Sequence, residues 1–475
     1  MADLTHWPTW EIEFDRSGNV DPAARAALLT QITGAGITDL VVMSHGWNSS
    51  PAHSRQLYKQ WFGMLDKLVP DGNPAQIGTL GVIWPSMLWP DETQPGGAAG
   101  AGGGGAAGLA GAGPGGGAGA PVAALDAVYP DQDQQQILGQ LAALLDAQSP
   151  DPAELAKFHA LMVQLAASEP AAISPEDSGP QTMLTEDPRV LAQRFAAALD
   201  DAAGPGAGQA ADQGGAADLG GAADLGGAAD LGGAADLGGA GDDGQGAAGF
   251  GAITGRLWNG MKEALRQLTY FQMKDRAGTV GQHGLGPFLG DLAARSAGLR
   301  VHLIGHSFGG RLVSFTLAGL PAGAPSPVAS LTLLEGAFSH FAFAASLPQD
   351  KDRSGALNGM AARVSGPLLA CFSSFDLALA IFYPVASMTS GDDAAGLTDA
   401  LKFRFGGMGH DGAQAVGAAA VAVKKVGQPY QFTAGKFTNI DCSSVVKKGD
   451  PPSGAHSDIV HPELGWAMLT AAGLV

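Results

Sequence analysis

The chain has 475 residues, with 45 acidic and 26 basic side chains, a net charge of −19 and 72 glycines. An acidic chain with no basic stripe is not built to hold nucleic acid, and it is repelled from anionic membrane surfaces. Its two cysteines, Cys371 and Cys442, stand apart with no CxxC, and no histidines cluster at metal-ligand spacing, so neither a disulfide framework nor a metal site is expected.

The charge is unevenly placed. Residues 91–250, dominated by Ala, Gly, Pro, Asp and Gln, hold 22 of the acidic residues and three basic ones, Lys157, Arg189 and Arg194, which accounts for the whole net charge. Residues 1–90 and 251–475 are neutral, with 23 of each sign. Those two pieces together make roughly 315 residues, the size of one α/β domain, and 91–250 reads as a low-complexity acidic insert. The N-terminus has no basic n-region or apolar h-region, which with the isolated cysteines points to a cytoplasmic protein. Leu312 to Leu334 is uncharged, but Pro321, Pro325 and Pro327 interrupt it, so no membrane span is expected.

In chain order, Trp10 to Phe14 alternates like an edge strand. Asp21-Pro22 caps a helix that Gly34 ends. Asp39 to Met43 is a buried strand, followed by Ser44-His45-Gly46-Trp47. Ser50-Pro51 opens a helix with Leu57, Trp61, Met64, Leu65 and Leu68 on one face, and Ile77 to Trp84 is the next strand. This rhythm implies parallel pairing through right-handed crossovers. Within the insert, residues 95–120 are almost pure Gly and Ala. The spacing of Ile137, Leu138, Leu141, Leu144 and Leu145, and of Leu155, Phe158, Leu161, Met162 and Leu165, predicts two or three small helices over about 122–200, a candidate cap. Residues 214–239 repeat Gly-Gly-Ala-Ala-Asp-Leu, placing Asp218, Asp224, Asp230 and Asp236 in register. One Asp per repeat is poor calcium chemistry, so this stretch reads as a disordered linker. Beyond it come helices at about 256–274 and 286–296. Strands follow at 301–304, 330–334, 367–372 and about 437–446, and a closing helix at 464–472. The sum is an α/β fold of about seven strands, mostly parallel, with helices on both faces.

The segment with most chemical content is Gly305-His306-Ser307-Phe308-Gly309-Gly310. A Gly-x-Ser-x-Gly pattern is common by chance in a chain this rich in glycine, and its weight comes from context. An apolar strand precedes it, an apolar helix follows, and glycines flank the serine where a side chain would collide with a sharp turn. It resembles the nucleophile elbow of lipases and esterases in the α/β-hydrolase superfamily, and the resemblance covers about residues 8–90 and 253–475. It implies a triad in the order serine, acid, histidine, with Ser307 as nucleophile. A serine hydroxyl needs a base within reach, and the base needs an orienting acid. The expected base is His456, in a loop before the last helix, with His461 the competitor. The expected acid is Asp376, just past a strand end, where a helix N-cap is its bland role; Glu335, Asp392 and Asp393 are the competitors. The resemblance places the oxyanion donors at the amides of Phe308 and Trp47, with Gly46 allowing close approach and His45 structural. Trp84, Trp89, Phe338, Phe341, Phe343, Phe382 and Tyr383 are candidates for an acyl pocket as well as for core. His410 has no assigned role.

The expected activity is hydrolysis of a carboxylic ester through an acyl-enzyme, on a small-molecule acyl substrate and with no metal or organic cofactor. Two alternatives stay open: another acyl enzyme, such as a peptidase, thioesterase or acyltransferase, or an idle hydrolase fold used for binding. The sequence names no protein partner for the insert.

Overall fold

The computed structural model describes residues 5–47, 49–73, 75–86, 119, 122, 125, 129, 131–168, 183–203, 246–376, 378, 379, 403, 406–449 and 454–475. The six-residue repeats, Asp392, Asp393, Trp89, Phe382 and Tyr383 lie outside the described residues.

The chain forms one eight-stranded, all-parallel sheet. Its strands are β1 (Thr9–Glu13), β2 (Asp39–Ser44), β3 (Ile77–Ile83), β4 (Arg300–His306), β5 (Val328–Leu334), β6 (Leu368–Phe372), β7 (Ala419–Ala422) and β8 (Phe437–Asp441). They lie in the order β1-β3-β2-β4-β5-β6-β8-β7. The sequence reading misses β7. That strand contains a single β-branched residue and is mostly exposed, so neither composition nor alternation marks it.

Helices cover both faces. Along β2, Leu40 and Val42 point into one core while Val41 and Met43 point into the other, as the period of two requires. The second core holds α2 (Pro51–Leu68) and the C-terminal helix, Pro462–Ala472. The first core holds α1 (Pro22–Gly34) and a long helical run. That run comprises α6 (Gly246–Thr279), a π-helical turn (Val280–Leu285) and α7 (Gly286–Arg295), and α8 (Phe308–Gly319) packs against it. The expected caps form: Asp21 accepts from the Ala24 amide at 2.8 Å, and Ser50 from that of His53 at 3.2 Å. Within 91–250 the structure contains α3 (Gln132–Ala147), α4 (Pro152–Ala167) and α5 (Pro188–Ala203). Their apolar faces join the first core through α6, where Phe158 meets Trp258 edge-on at 5.7 Å. Helix α6 itself begins at Gly246 and runs on through 251 without a break. Among the described residues, no helix is long and apolar enough to cross a membrane.

Two features fix the sheet's register and the placing of α8. His302 on β4 is fully buried. Its Nε2 lies 2.9 Å from Asp39 on β2, and its Nδ1 2.9 Å from the Ser330 hydroxyl on β5, which ties three strands together. Burial pushes this imidazole down; for Asp39, burial pulls the carboxyl up, but hydrogen bonds from His302 and Thr38 hold it low. The π-helical turn and α7 meet α8 backbone to backbone. A Cβ on Gly281 would sit 2.1 Å from the Leu312 carbonyl oxygen, and one on Gly319 would sit 2.0 Å from that of Gln282. Backbone atoms there cannot swing aside as a side chain would. Gly281→Ala is therefore expected to lower the unfolding free energy by about 2–3 kcal/mol. The reading is a lower urea midpoint at unchanged m, and an unchanged midpoint would show that the helices part at no cost.

Candidate active site

The chain moves from β2 to β3 in one direction along the sheet and then, for β4, to the other side of β2. The strand order reverses between β2 and β4, and open parallel sheets bind ligands at the carboxyl ends of such a pair. Ser307 follows β4 directly, and His45-Gly46-Trp47 follows β2. Ser307 has φ 56° and ψ −123°, a strained backbone for a residue with a side chain. The strain persists because the surroundings over-determine it. A Cβ on Gly309 would lie 2.2 Å from the Ser44 carbonyl oxygen, and one on Gly305 would lie 2.3 Å from that of Gly309. The Ser307 amide donates to Leu334 at 3.0 Å, and its carbonyl accepts from Gly310 and Ala337 at 3.0 and 3.2 Å.

Three side chains expected from the sequence meet at this turn. His456 Nε2 lies 2.8 Å from Ser307 Oγ, and His456 Nδ1 lies 2.7 Å from Asp376 Oδ2. With Asp376 as a carboxylate, Nδ1–H donates to it and the Nε2 lone pair accepts the Ser307 hydroxyl. Asp376 is fully buried, and its other oxygen accepts from the Leu379 amide at 3.1 Å. The capping role and the relay thus use different oxygens of one carboxylate. Such a chain can take the serine proton as the oxygen attacks a carbonyl and spread the resulting charge.

The His456 loop is held at several points. The Ala455 amide donates to the Phe375 carbonyl at 2.9 Å, and a β-bridge joins Asp376 to Gly454. Asp458 accepts from the amides of Lys447 and Lys448 at 3.0 and 2.9 Å. His306 Nε2 donates to the His456 carbonyl at 2.9 Å. Burial, aided by neighbouring His456, pushes the His306 imidazole down to about 3, so it donates as a neutral ring. Sequence reasoning misses this contact. His306 looks like a filler inside the motif, and only the fold brings the His456 loop over it.

On the other side of the serine, a Cβ on Gly46 would come within 2.6 Å of Ser307 Cβ, so only glycine fits. Among the described residues, the Trp47 and Phe308 amides make no hydrogen bond. Phe308 opens α8, where a backbone N–H has no intrahelical acceptor and forms part of the positive end of the dipole. His45 shapes this turn. Its amide donates to the Tyr58 hydroxyl at 2.9 Å, that hydroxyl donates to the Val82 carbonyl, and its ring stacks on Trp84 at 5.4 Å. Burial pushes its imidazole down to about 4. Tyr270 of α6 touches the rings of both Trp47, at 5.5 Å, and Phe308, at 4.5 Å.

The remaining candidates stand apart from the serine. His461 is the N-cap residue of the C-terminal helix, beside Asp458. His410 lies in the helical turn Met408–Asp411, which packs over the ends of β5 and β6. Glu335 directly follows β5 and is fully buried, and His456 is paired with Asp376 instead. Phe338, Phe341 and Phe343 are buried in apolar clusters. Both cysteines are buried free thiols. Among the described residues, no group of His, Cys, Asp and Glu could hold a metal ion. No known protein family, curated protein or solved structure matches this chain.

The buried histidines make stability depend on pH. His45, His302 and His306 are neutral when folded but regain an ordinary pKa of about 6.5 when unfolded. Below that value the unfolded chain binds more protons, so stability is complete above about pH 6.5 and is lost as pH falls, towards about 4 for His45 and about 3 for His306, by about 1.4 kcal/mol per pH unit for each of these two rings; His302 acts in the same direction. Glu335, whose carboxyl burial and then Asp376 push up, acts in the opposite sense, one group against three. Urea midpoints are expected to drop between about pH 7 and pH 5; a flat profile would mean that these rings are charged in the folded protein.

Proposed function

We propose that this protein is a serine hydrolase of α/β-hydrolase fold that cleaves a carboxylic ester. The observation that carries this reading is the unbroken relay Ser307–His456–Asp376, mounted on a strained elbow beside two unengaged backbone amides. The strand order supports the finer fold assignment. The serine follows the strand next to the switch point, the acid follows β6, and the histidine follows β8.

In this mechanism Ser307 Oγ attacks the ester carbonyl carbon while His456 Nε2 takes the hydroxyl proton. Asp376 stabilises the imidazolium. The carbonyl oxygen, now carrying the negative charge, is held by the Trp47 and Phe308 amides, which need no reorganisation because the turns are already fixed. Collapse breaks the bond to the alcohol oxygen, and His456 returns the proton to that leaving alcohol. Water repeats the cycle on the acyl-enzyme, releasing the carboxylic acid and restoring Ser307. Helices α3–α5 are proposed as a cap, since they pack on α6 and α6 carries Tyr270 to the oxyanion turn.

The test is turnover of p-nitrophenyl esters of graded chain length. The wild type is expected to show a burst and a single acyl group on Ser307 by mass spectrometry. Ser307→Ala and His456→Ala are each expected to lose about 10⁴-fold or more in kcat. Turnover that survives Ser307→Ala would move the chemistry to another residue and defeat the proposal.

A further inference from the structure

Glu335 is an unexpected buried group. It directly follows β5, is 0% exposed and has φ 47°, a left-handed conformation that non-glycine residues rarely adopt. Its amide donates to the Cys371 carbonyl on β6 at 3.1 Å, which locks it against the strand that leads to Asp376. The turn Met408–Asp411 closes over it, so that a Cβ on Gly409 would lie 2.4 Å from the Glu335 carbonyl carbon. Neither carboxyl oxygen receives a hydrogen bond. A carboxylate in such a place has lost its water, and the Ser373 amide, itself donating to the Gly409 carbonyl at 3.1 Å, offers it little in return. A carboxyl carrying a proton has a natural acceptor in Asp376, whose amide donates at 3.1 Å to the carbonyl of the same Ser373 that is bonded to Gly409, the residue closing over Glu335, and whose charge acts on it most strongly. The other titratable groups acting on it are weaker: the thiol of Cys371 on β6 and, past β8, that of Cys442. Burial first, and then the Asp376 charge, push its carboxyl well above the ordinary range, while the Ser373 amide works weakly the other way.

We propose that Glu335 is a positioning residue that stays protonated and donates its O–H to Asp376, so that the two buried carboxyls share one negative charge directed at His456. The proposal rests on the triad reading above. It also gives Asp376 a third donor. The Leu379 amide and His456 Nδ1 take one oxygen each, and the Glu335 O–H fixes the plane of the carboxylate as the imidazolium forms. No proton is transferred between the two carboxyls at any step. Glu335 touches neither substrate nor serine.

The full-length protein and its Glu335→Gln and Glu335→Leu variants test this, Gln being an isosteric neutral donor. Infrared spectra near neutral pH are expected to contain one carbonyl stretch of a protonated carboxyl, shifted in D2O and absent from both variants. With a p-nitrophenyl ester, Glu335→Gln is expected to stay within about 3-fold of wild type, while Glu335→Leu loses about 10–100-fold in kcat at unchanged KM. A wild type without the band, a Gln variant as impaired as Leu, or a Leu variant with full kcat would each overturn the proposal. The band is read without turnover. If it is present and the wild type hydrolyses no ester, the protonated pair stands and the hydrolase reading falls.

Discussion

The structure depends on a contact between bare backbones at the point where strand order reverses. The carbonyls of Ser44 and His45 press against Gly309, and Gly305 presses against the turn that follows it. No side chain fits at either glycine. The chain must therefore leave β4 steeply, and Ser307 takes the left-handed conformation that no local preference of serine would select. The same contact sets Gly46 against the serine and starts α8 directly behind it. The strain stored at one residue is offset by the parallel ladders on both sides of β4 and by the core that α8 buries.

Around this fixed point, the rest of the site arrives on loops, and loops need restraint to hold Ser307, His456 and Asp376 in line. His456 comes from a loop 149 residues beyond the serine. That loop is held by the bridge between Asp376 and Gly454, by Asp458 and by His306, which sits next to the serine itself. His306 is buried and neutral, so it donates without bringing charge near His456. Asp376 and Glu335 are both fully buried, just past the ends of β6 and β5. Low dielectric strengthens such contacts only when every member has a partner.

Much of this was legible in the sequence because it rests on local chemistry. Asp21-Pro22 and Ser50-Pro51 are helix starts in any context, and the apolar runs of β2, β4 and β5 can only be buried strands. The elbow glycines point to a sharp turn, and Asp376 and His456 each occupy the place after a strand where the structure brings them to Ser307. What was not legible depends on distant segments meeting. The π-helical turn lies where Gly281 and Gly319 let two helices touch, which no periodicity encodes. Ala419–Ala422 is a strand only because β8 offers it an edge. His306 looks like an ordinary polar residue at a strand end until the loop after β8 closes over it, and Glu335, a competitor for the acid in the sequence, is buried while His456 pairs with Asp376.

The most direct test of the central claim, that this geometry makes Ser307 an activated nucleophile, is labelling of the folded protein with a fluorophosphonate probe, with the adduct mapped by mass spectrometry. One adduct is expected, on Ser307, lost in Ser307→Ala and formed far more slowly in His456→Ala. A folded wild type that takes no label, or an adduct on any other residue, would contradict it.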